Sequence, residues 1–232
     1  VLDVELEGKI KKIRTHKGTF EGKTIILCLG ASAKQLNLPN ERKFIGKGVS
    51  YCATCDGTFF RDKTVAIVGG GSSSLEDCLY LSSLAKKVYL IHRKDEFKGE
   101  KILANQVFAL SKVENSPLEI LFSSAVEEII GEDKVEGLVV NNLITNEKSK
   151  LDVDALFIAI GRKPDTELLE NKIELDKNGY IITNEKMETS IPGIYAAGDV
   201  RQKQLRQIVT AASDGAIASV NTNDYILKNF GG

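Results

Sequence analysis

The chain has 232 residues, and its hydrophobic content of 42% is enough to bury one large core or two modest ones. Its 31 basic and 32 acidic side chains give a formal net charge of -1, so no overall electric field attracts nucleic acid or an anionic membrane surface. No apolar stretch approaches the roughly 20 residues that span a bilayer, and the first residues lack a signal-peptide pattern, so we predict a soluble, cytoplasmic protein with no nucleic-acid or membrane partner.

The first half of the chain begins with short β-type runs and then changes to an alternation of predicted strands and a helix. Residues 1–30 form a predicted meander that ends in a buried strand at 24–29. From Lys63 the predicted order is strand, glycine-rich turn, helix and strand, at Thr64–Val68, Gly69–Gly71, Leu75–Leu84 and Lys87–Ile91. A unit of about 30 residues with this order has the size of a dinucleotide-binding βαβ crossover.

The second half continues with a helix, several strands and a C-terminal helical segment. The helix is predicted at 100–112, and β-type runs follow at 119–123, 126–130 and 135–144. The apolar run at 155–160 is followed by a glycine, as is the run at 24–29, so we interpret these two strands as the crossings between two domains. A buried strand at 193–199 ends in Gly-Asp, and small residues suited to close packing occupy the predicted helix at 204–229.

The four cysteines are too few for a disulfide scaffold, but Cys52 and Cys55 form a C-x-x-C pair. Two intervening residues let the first turn of a helix bring both sulfurs into disulfide range, and the N-terminus of the helix favours the thiolate. A zinc site would need two further ligands at suitable spacing, which this sequence lacks, so no metal is predicted. Cys28 and Cys78 have apolar neighbours and are predicted to be buried structural residues. The pair therefore predicts a redox-active dithiol.

Asp56 directly follows the second cysteine of the pair and admits two interpretations. A partly buried carboxyl group at this position could carry protons to and from the dithiol. Alternatively, the side chain caps the short helix.

The sequence Gly69-x-Gly71-x-x-Ser74 follows a predicted strand and opens a predicted helix. In that context the glycines permit a tight turn and let backbone N–H groups approach a pyrophosphate at the positive end of the helix. Ser74 stands where Gly or Ala is more usual, which predicts a slightly looser contact between helix and strand. The alternative interpretation is an ordinary glycine-rich turn in an α/β domain.

The end of the second strand of this unit bears on which dinucleotide binds. An acidic side chain there would hold the ribose 2′-hydroxyl of NAD, but the segment after Ile91 has no acid at the strand end and carries three cations, Arg93, Lys94 and Lys98. Arg93 can make a planar bidentate contact with a 2′-phosphate, and the lysines add point charges. We therefore predict NADPH, with a solvated basic turn as the alternative. His92 is predicted to pack or to hydrogen-bond and is left outside the site.

Five short motifs follow one another along the chain at 51–57 (YCATCDG), 68–71 (VGGG), 91–93 (IHR), 198–200 (GDV) and 206–207 (RQ). Together, over the whole chain, they resemble the bacterial-type, low-molecular-weight thioredoxin reductases. The resemblance implies that NADPH reduces FAD, that the flavin reduces the C-x-x-C disulfide, and that the dithiol reduces thioredoxin. It also implies a homodimer in which one domain rotates against the other. The implied fold is α/β, with a Rossmann-like three-layer NAD(P)-binding domain inserted into a discontinuous FAD-binding domain.

The resemblance also implies roles for individual residues. Cys55 would face the flavin, Cys52 would attack thioredoxin, and Asp56 would donate and accept protons. The residues implied to hold NADPH are Gly69, Gly71, Ser72, Ser73, Arg93, Lys94 and Lys98. The residues implied to bind the cofactors elsewhere are Gly161, Asp199 near the ribityl and pyrophosphate of FAD, and Arg206, Gln207 and Ile208 along the isoalloxazine ring. Lysines stand at 94 and 98 where the family has arginines, which weakens bidentate phosphate contacts and keeps the charge.

The resemblance places residues 1–34 and 161–232 in the FAD-binding domain and residues 35–160 in the NADPH-binding domain. The family's first βαβ unit, with its own FAD-binding glycine motif, is expected upstream of Val1. We therefore expect an incomplete FAD-binding domain and weak or no FAD binding, which would leave the chain as given inactive. Two alternatives remain open: a related flavoprotein disulfide reductase that uses NADH or ferredoxin as donor, and a non-catalytic dinucleotide-binding module whose cysteines sense redox state.

Overall fold

The computed structural model describes residues 1–231. The chain forms two compact units: one is Ala33–Gly161, and the other joins Val1–Ser32 to the part that begins at Arg162. The chain therefore passes from one unit to the other twice. Among residues 1–231, no helix combines the length and the apolar composition that crossing a membrane requires.

The Ala33–Gly161 unit is built on a five-stranded parallel sheet with the order β6-β13-β7-β8-β9. Its strands are β6 (Val49–Ser50), β7 (Thr64–Val68), β8 (Lys87–Ile91), β9 (Leu118–Leu121) and β13 (Ala155–Ile158). The central strands are continuous apolar runs because both faces of the sheet are covered. Because all five strands are parallel, their carboxyl ends meet at one edge of the sheet.

Three helices cover one face of this sheet: α1 (Ala53–Asp56), α2 (Ser72–Ser82) and α3 (Lys101–Ser111). Val65 and Ile67 of β7 are fully buried in this layer against Leu75 and Leu81 of α2. Side chains alternate along a strand, so the intervening Ala66 points to the opposite face.

An antiparallel sheet covers that opposite face. It consists of β10 (Ser124–Ile130), β11 (Gly137–Asn142) and β12 (Lys148–Asp152). Ile129 and Leu138 pack there with Ala66 and Leu156 of the parallel sheet. The unit thus has three layers, and the predicted α/β fold with a Rossmann-type domain is confirmed.

The other unit contains a three-stranded meander, two short parallel strands and a long helix. Its elements are β1 (Asp3–Glu5), β2 (Lys11–Thr15), β3 (Gly18–Gly22), β4 (Ile25–Leu27), β5 (Ala31–Ala33), β14 (Arg162–Pro164), β15 (Ile194–Ala196) and α4 (Ile208–Phe230). β4 pairs in parallel with β15, and β5 pairs with β14. Tyr195 is fully buried beside Ala218 of α4, and its hydroxyl donates to the carbonyl of Asn221 at 3.0 Å.

The predicted strands Thr64–Val68 and Lys87–Ile91 are present with the predicted bounds. The predicted helix at Leu75–Leu84 begins three residues earlier, at Ser72, because its first turn consists of serines that carry no apolar signal. β12 was not predicted, because its side chains are mostly charged and exposed.

Candidate functional site

Cys52 and Cys55 form a disulfide directly after the carboxyl end of β6, with their Cα atoms 5.3 Å apart. Cys52 is the N-cap of α1, and its sulfur accepts a hydrogen bond from the backbone N–H of Cys55 at 3.2 Å. Cys52 is half-buried and Cys55 is exposed. The prediction that a single helical turn brings the two sulfurs together is confirmed.

Asp56 is the last residue of α1, directly follows Cys55 in the sequence and is half-buried. Its Oδ2 atom accepts a 2.6 Å hydrogen bond from the hydroxyl of Ser50, the last residue of β6. The same hydroxyl oxygen accepts from the backbone N–H of Cys52 at 3.1 Å. Ser50 was not among the predicted site residues, because a single serine before a C-x-x-C pair carries no distinctive sequence signal.

The three glycines after β7 have different surroundings. A Cβ atom on Gly69 would lie 2.5 Å from the Cβ of Ser74, and one on Gly70 would lie 2.2 Å from the ring of His92. A Cβ on Gly71 would meet nothing within 4 Å, because this residue faces an open cleft. Gly69 and Gly70 are therefore required by close packing, whereas Gly71 leaves space for a ligand at the start of α2.

The cleft at this edge of the sheet has a volume of about 860 Å³, which suits a dinucleotide-sized ligand. Seven residues were predicted to hold NADPH, and six of them line the cleft: Gly69, Gly71, Ser72, Ser73, Arg93 and Lys98. The predicted cofactor residue Gly161 lines it as well. Lys94 is exposed and does not line it. The segment Lys34–Asn37 also lines the cleft and was missed, because it follows a crossing strand without any motif of its own.

The basic segment after β8 is fastened to the glycine turn by backbone hydrogen bonds. The carbonyl of Gly70 accepts from the N–H groups of Lys98 and Gly99, at 2.8 and 3.0 Å. The hydroxyl of Ser72 accepts from the N–H of Glu100 at 3.0 Å. These bonds hold Lys98 beside the N-terminus of α2, where backbone N–H groups and cations together favour an anionic ligand.

His92 is buried beneath the glycine turn and lines the same cleft. Its Nε2 atom lies 3.0 Å from the carbonyl oxygen of Glu96, and its ring packs near Phe97 and Phe122. Burial lowers the pKa of the imidazole, against the opposing effect of hydrogen bonds to Glu96 and Gly69. The predicted packing and hydrogen-bonding role of His92 agrees with these contacts.

A second, smaller cleft of about 370 Å³ lies in the other unit. Three of the predicted site residues line it: Asp199, Gln207 and Ile208. Asp199 lies in a 3-10 turn, Gly198–Val200, after β15, and its Oδ2 atom is 3.6 Å from a guanidinium nitrogen of Arg162. Gln207 is the N-cap of α4 and forms a capping box with Thr210.

Arg206 and Cys28 differ from expectation in their surroundings. The guanidinium of Arg206 lies 4.0 Å above the ring of Tyr180, and its Nε donates to the carbonyl of Asp199 at 3.4 Å, but the side chain does not line the cleft. The prediction that Cys28 is buried is wrong: it is exposed and lines the cleft, because β4 and its pairing with β15 end one residue earlier, at Leu27. Cys78 is buried, as predicted, and burial raises its pKa to about 12.

Asp214 of α4 anchors the turn that carries Asp199. Its carboxylate is buried and accepts from the N–H of Gly198 at 3.0 Å, from Lys203 Nζ at 2.7 Å and from Arg201 Nη1 at 3.1 Å. Burial alone would raise its pKa, but the hydrogen bonds from Lys203 and Gly198 and the charge of Arg201 hold that pKa below its usual range. Sequence patterns missed Asp214 because these partners converge only in the folded chain.

Residues 2–215 match the family model of the pyridine nucleotide-disulphide oxidoreductases. The chain is 42% identical, over 99% of its length and 73% of the relative's, to a thioredoxin reductase from Peptoclostridium acidaminophilum. The chain belongs to the thioredoxin reductase family. It is also 39% identical to a thioredoxin reductase from Mycolicibacterium smegmatis, over 97% of this chain and 71% of the relative.

The fold supports the same membership in the thioredoxin reductase family. The crystal structure of thioredoxin reductase from Streptococcus pyogenes MGAS5005 matches with a TM-score of 0.89 and 40% identity, over 98% of this chain and 73% of that one. The resemblance inferred from the five motifs is thus confirmed. Membership of the thioredoxin reductase family implies a flavin and a pyridine nucleotide as cofactors.

Proposed function

We propose that this chain passes electrons from NADPH, through FAD, to the Cys52–Cys55 disulfide and on to thioredoxin. The observation that carries the proposal is the shared sheet edge of the Ala33–Gly161 unit. The disulfide follows β6, the glycine turn follows β7, and Arg93 follows β8, and all three strands are parallel members of one sheet. A redox-active cysteine pair and a nucleotide-sized cleft on one rigid scaffold support electron transfer between a nicotinamide and a disulfide.

The overall reaction balances as two half-reactions at the cysteine pair. In the first, NADPH and one proton supply two electrons and two hydrogens, the S–S bond breaks, and NADP⁺ and two thiols form. In the second, the thiolate of Cys52 attacks the thioredoxin disulfide to form a mixed disulfide. Cys55 then attacks Cys52, which restores the Cys52–Cys55 bond and releases dithiol thioredoxin.

The cleft beside the glycine turn fits the diphosphate and the 2′-phosphate of NADPH. Gly71 leaves room for backbone N–H groups to meet the diphosphate, with Ser72 and Ser73 at the first turn of α2. Arg93 and Lys98 line the same cleft and supply the charges that a 2′-phosphate requires. We therefore propose NADPH as the donor and assign it to the Ala33–Gly161 unit.

The smaller cleft fits part of a flavin nucleotide, and we assign the flavin to this unit. Asp199 offers a carboxylate to hydroxyl groups, and the apolar side chain of Ile208, which is 90% exposed, offers a surface for a flat ring. When bound, FAD supplies the two-electron relay between a nicotinamide and a disulfide. Gln207, fixed as the N-cap of α4, is placed to hydrogen-bond the same group.

Asp56 is the proposed proton carrier of the cysteine pair, and thioredoxin is the proposed protein substrate. Asp56 is positioned by its hydrogen bond to Ser50. We further propose that the protein acts as a homodimer in the cytoplasm, where a reducing environment keeps Cys28 and Cys78 as thiols.

The test measures thioredoxin reduction by the full-length protein supplied with FAD, driven in turn by NADPH, by NADH and by reduced ferredoxin. We expect NADPH to be the most efficient donor and the variants Cys52→Ser and Cys55→Ser to be inactive. Cys78→Ala serves as the matched control and should keep full activity, because Cys78 is buried and is not among the residues that line either cleft. Faster turnover with ferredoxin or NADH would establish the alternative donor, and nucleotide binding without any disulfide reduction would establish a non-catalytic redox module.

A further inference from the structure

The hydroxyl group of Ser50 forms hydrogen bonds both with Cys52 of the disulfide and with Asp56. Ser50 is 5% exposed at the end of β6, and its oxygen accepts from the N–H of Cys52 at 3.1 Å while its proton is donated to Asp56 Oδ2 at 2.6 Å. We propose that Ser50 is a positioning residue that holds the Asp56 carboxylate in a fixed place and thereby sets the protonation of the reduced Cys52–Cys55 pair. This inference deepens the proposed function and rests on it for the role of Asp56.

The direction of the hydroxyl proton follows from the geometry. A serine hydroxyl has one proton to donate and can accept two hydrogen bonds. Because the N–H of Cys52 can only donate, the oxygen must accept that bond, and the proton remains for the carboxyl oxygen of Asp56. The carbonyl of Cys52, at 3.4 Å, is the weaker of the two possible acceptors.

The backbone of Ser50 is fixed by the parallel sheet. Ser50 pairs with Phe157 of the buried strand β13 in the parallel sheet. The hydroxyl therefore occupies one place on a rigid element, whereas Asp56 belongs to a four-residue helix. A reactive side chain is positioned more accurately when a rigid element holds it, and here Ser50 on the sheet holds Asp56 on the short helix.

Other ionisable groups near this turn do not replace Ser50. Helix α2 and the 3-10 turn Gly57–Phe60 pack against α1, and they contribute Glu76, Asp77 and, directly after the turn, Arg61. None of these three hydrogen-bonds Ser50 or Asp56 among residues 1–231. On the other side, Glu41 is already engaged, because it accepts from the hydroxyl of Tyr51 and from two backbone N–H groups.

Loss of this bond has a defined chemical consequence. Reduction of the disulfide creates two S–H groups, which are new hydrogen-bond donors on the same short turn as Asp56. While Ser50 donates to Asp56 Oδ2, the hydrogen bond holds the carboxylate in place. Without the hydroxyl, the carboxylate is free to accept a hydrogen bond from a thiol. That bond stabilises the thiol over the thiolate and slows attack on thioredoxin.

The test follows alkylation of Cys52 and Cys55 by iodoacetamide, peptide by peptide in the mass spectrometer, in the chemically reduced full chain. Between about pH 5 and about pH 10, the midpoint of the rate profile reports the thiolate fraction. We expect Ser50→Ala to move the midpoint up by roughly half a pH unit and Ser50→Thr, which keeps the hydroxyl, to leave it in place. Asp56→Asn should move the midpoint down.

The double variant separates positioning from a general structural effect. If Ser50 acts through Asp56, adding Ser50→Ala to Asp56→Asn produces no further shift. A wild-type midpoint in Ser50→Ala, or an equal shift with and without the carboxylate, overturns the proposal. If Ser50→Ala does not fold, Asp56→Asn decides alone, because an unchanged midpoint in that variant excludes a carboxylate held against the dithiol.

The alkylation profile needs no nucleotide, flavin or thioredoxin. A chain that shows the expected shifts but reduces no thioredoxin with any donor contradicts the proposed function and keeps the inference on Ser50. A chain that reduces thioredoxin but shows no shift contradicts the inference alone.

Discussion

Gly69 and Ser74 approach each other so closely that any side chain on Gly69 would lie 2.5 Å from the Cβ of Ser74. Ser74 is fully buried, and its hydroxyl donates to the carbonyl of Gly71 at 2.8 Å. The expectation that a serine at this position loosens the contact between helix and strand is wrong. The hydroxyl hydrogen-bonds to the carbonyl of Gly71 at the start of the same helix, so its polar group has a partner without moving α2 away from β7.

This contact predicts opposite outcomes for two glycines of the same turn. Gly69→Ala would press its methyl group against Ser74 and the carbonyl oxygen of Ala159, and we expect it to lower stability by about 2 kcal/mol. Gly71→Ala projects into the open cleft, so we expect an unchanged melting temperature and about tenfold weaker NADPH binding. Thermal unfolding and isothermal titration calorimetry measure the two effects. A Gly69→Ala variant as stable as the wild type would contradict the packing argument.

The second prediction concerns the preference for NADPH over NADH. Arg93→Ala removes the guanidinium from the cleft, and we expect NADPH affinity to fall about tenfold while NADH affinity changes less than about twofold. Lys94→Ala is the matched control, because Lys94 is exposed and does not line the cleft. Calorimetric titration with each nucleotide gives both affinities. Equal losses for the two nucleotides would show that Arg93 does not recognise the 2′-phosphate.

The third prediction concerns Asp77, a half-buried residue of α2 that forms no hydrogen bond through its carboxyl group within residues 1–231. Burial, with a smaller contribution from the charge of Glu76, raises its pKa to about 6. A raised folded-state pKa means that the ionised form destabilises the native state above about pH 6, and that stability returns as pH falls toward the unfolded-state value of about 4. Asp77→Asn should therefore stabilise the protein by about 1–2 kcal/mol at pH 8, after allowing for solvent screening, and by almost nothing near pH 4.

Chemical unfolding of the wild type and Asp77→Asn at both pH values tests this prediction. Glu114→Gln is a suitable control, because Glu114 is exposed and does not contribute to the raised pKa of Asp77. A stabilisation that is independent of pH would indicate a cause other than the titration of Asp77.

The fourth prediction concerns Asp214, which accepts hydrogen bonds from Gly198, Lys203 and Arg201. Asp214→Asn leaves the half-buried Arg201 and Lys203 without a carboxylate, and we expect the free energy of unfolding to fall by about 3 kcal/mol at neutral pH. Because the folded-state pKa is depressed, the stabilising contribution of Asp214 is fully present above the unfolded-state value of about 4 and is lost as pH falls through the folded-state pKa. Denaturant titrations of both proteins at several pH values should show the difference shrinking only at acid pH.

The sequence predicted best where a single element carried its own signal. The strands β7 and β8 were predicted with their bounds because each is a continuous apolar run closed by a polar residue or glycine. The disulfide was predicted because its two cysteines are held by one turn of helix, which is a local geometry.

What the sequence did not predict depends on residues that are distant along the chain. Asp214 and Gly198 are 16 positions apart and meet only after folding. Ser50 and Asp56 are close in sequence, but nothing in the pattern shows that a strand end turns a hydroxyl toward the carboxylate. The exposure of Cys28 was mispredicted because apolar neighbours indicate a buried strand without showing which of its positions are covered.

The carbonyl of Gly70 accepts two hydrogen bonds, from the N–H groups of Lys98 and Gly99. The glycine turn after β7 and the basic segment after β8 therefore form a single structural unit. Re-engineering the nucleotide preference of this chain would begin with the residues after β8, which include Arg93 and Lys98. In this chain a replacement segment of different length or backbone path would release that carbonyl and withdraw the N–H of Glu100 from Ser72. A successful graft would therefore have to transplant both stretches, Gly69–Ser74 and Arg93–Glu100, from the same donor protein.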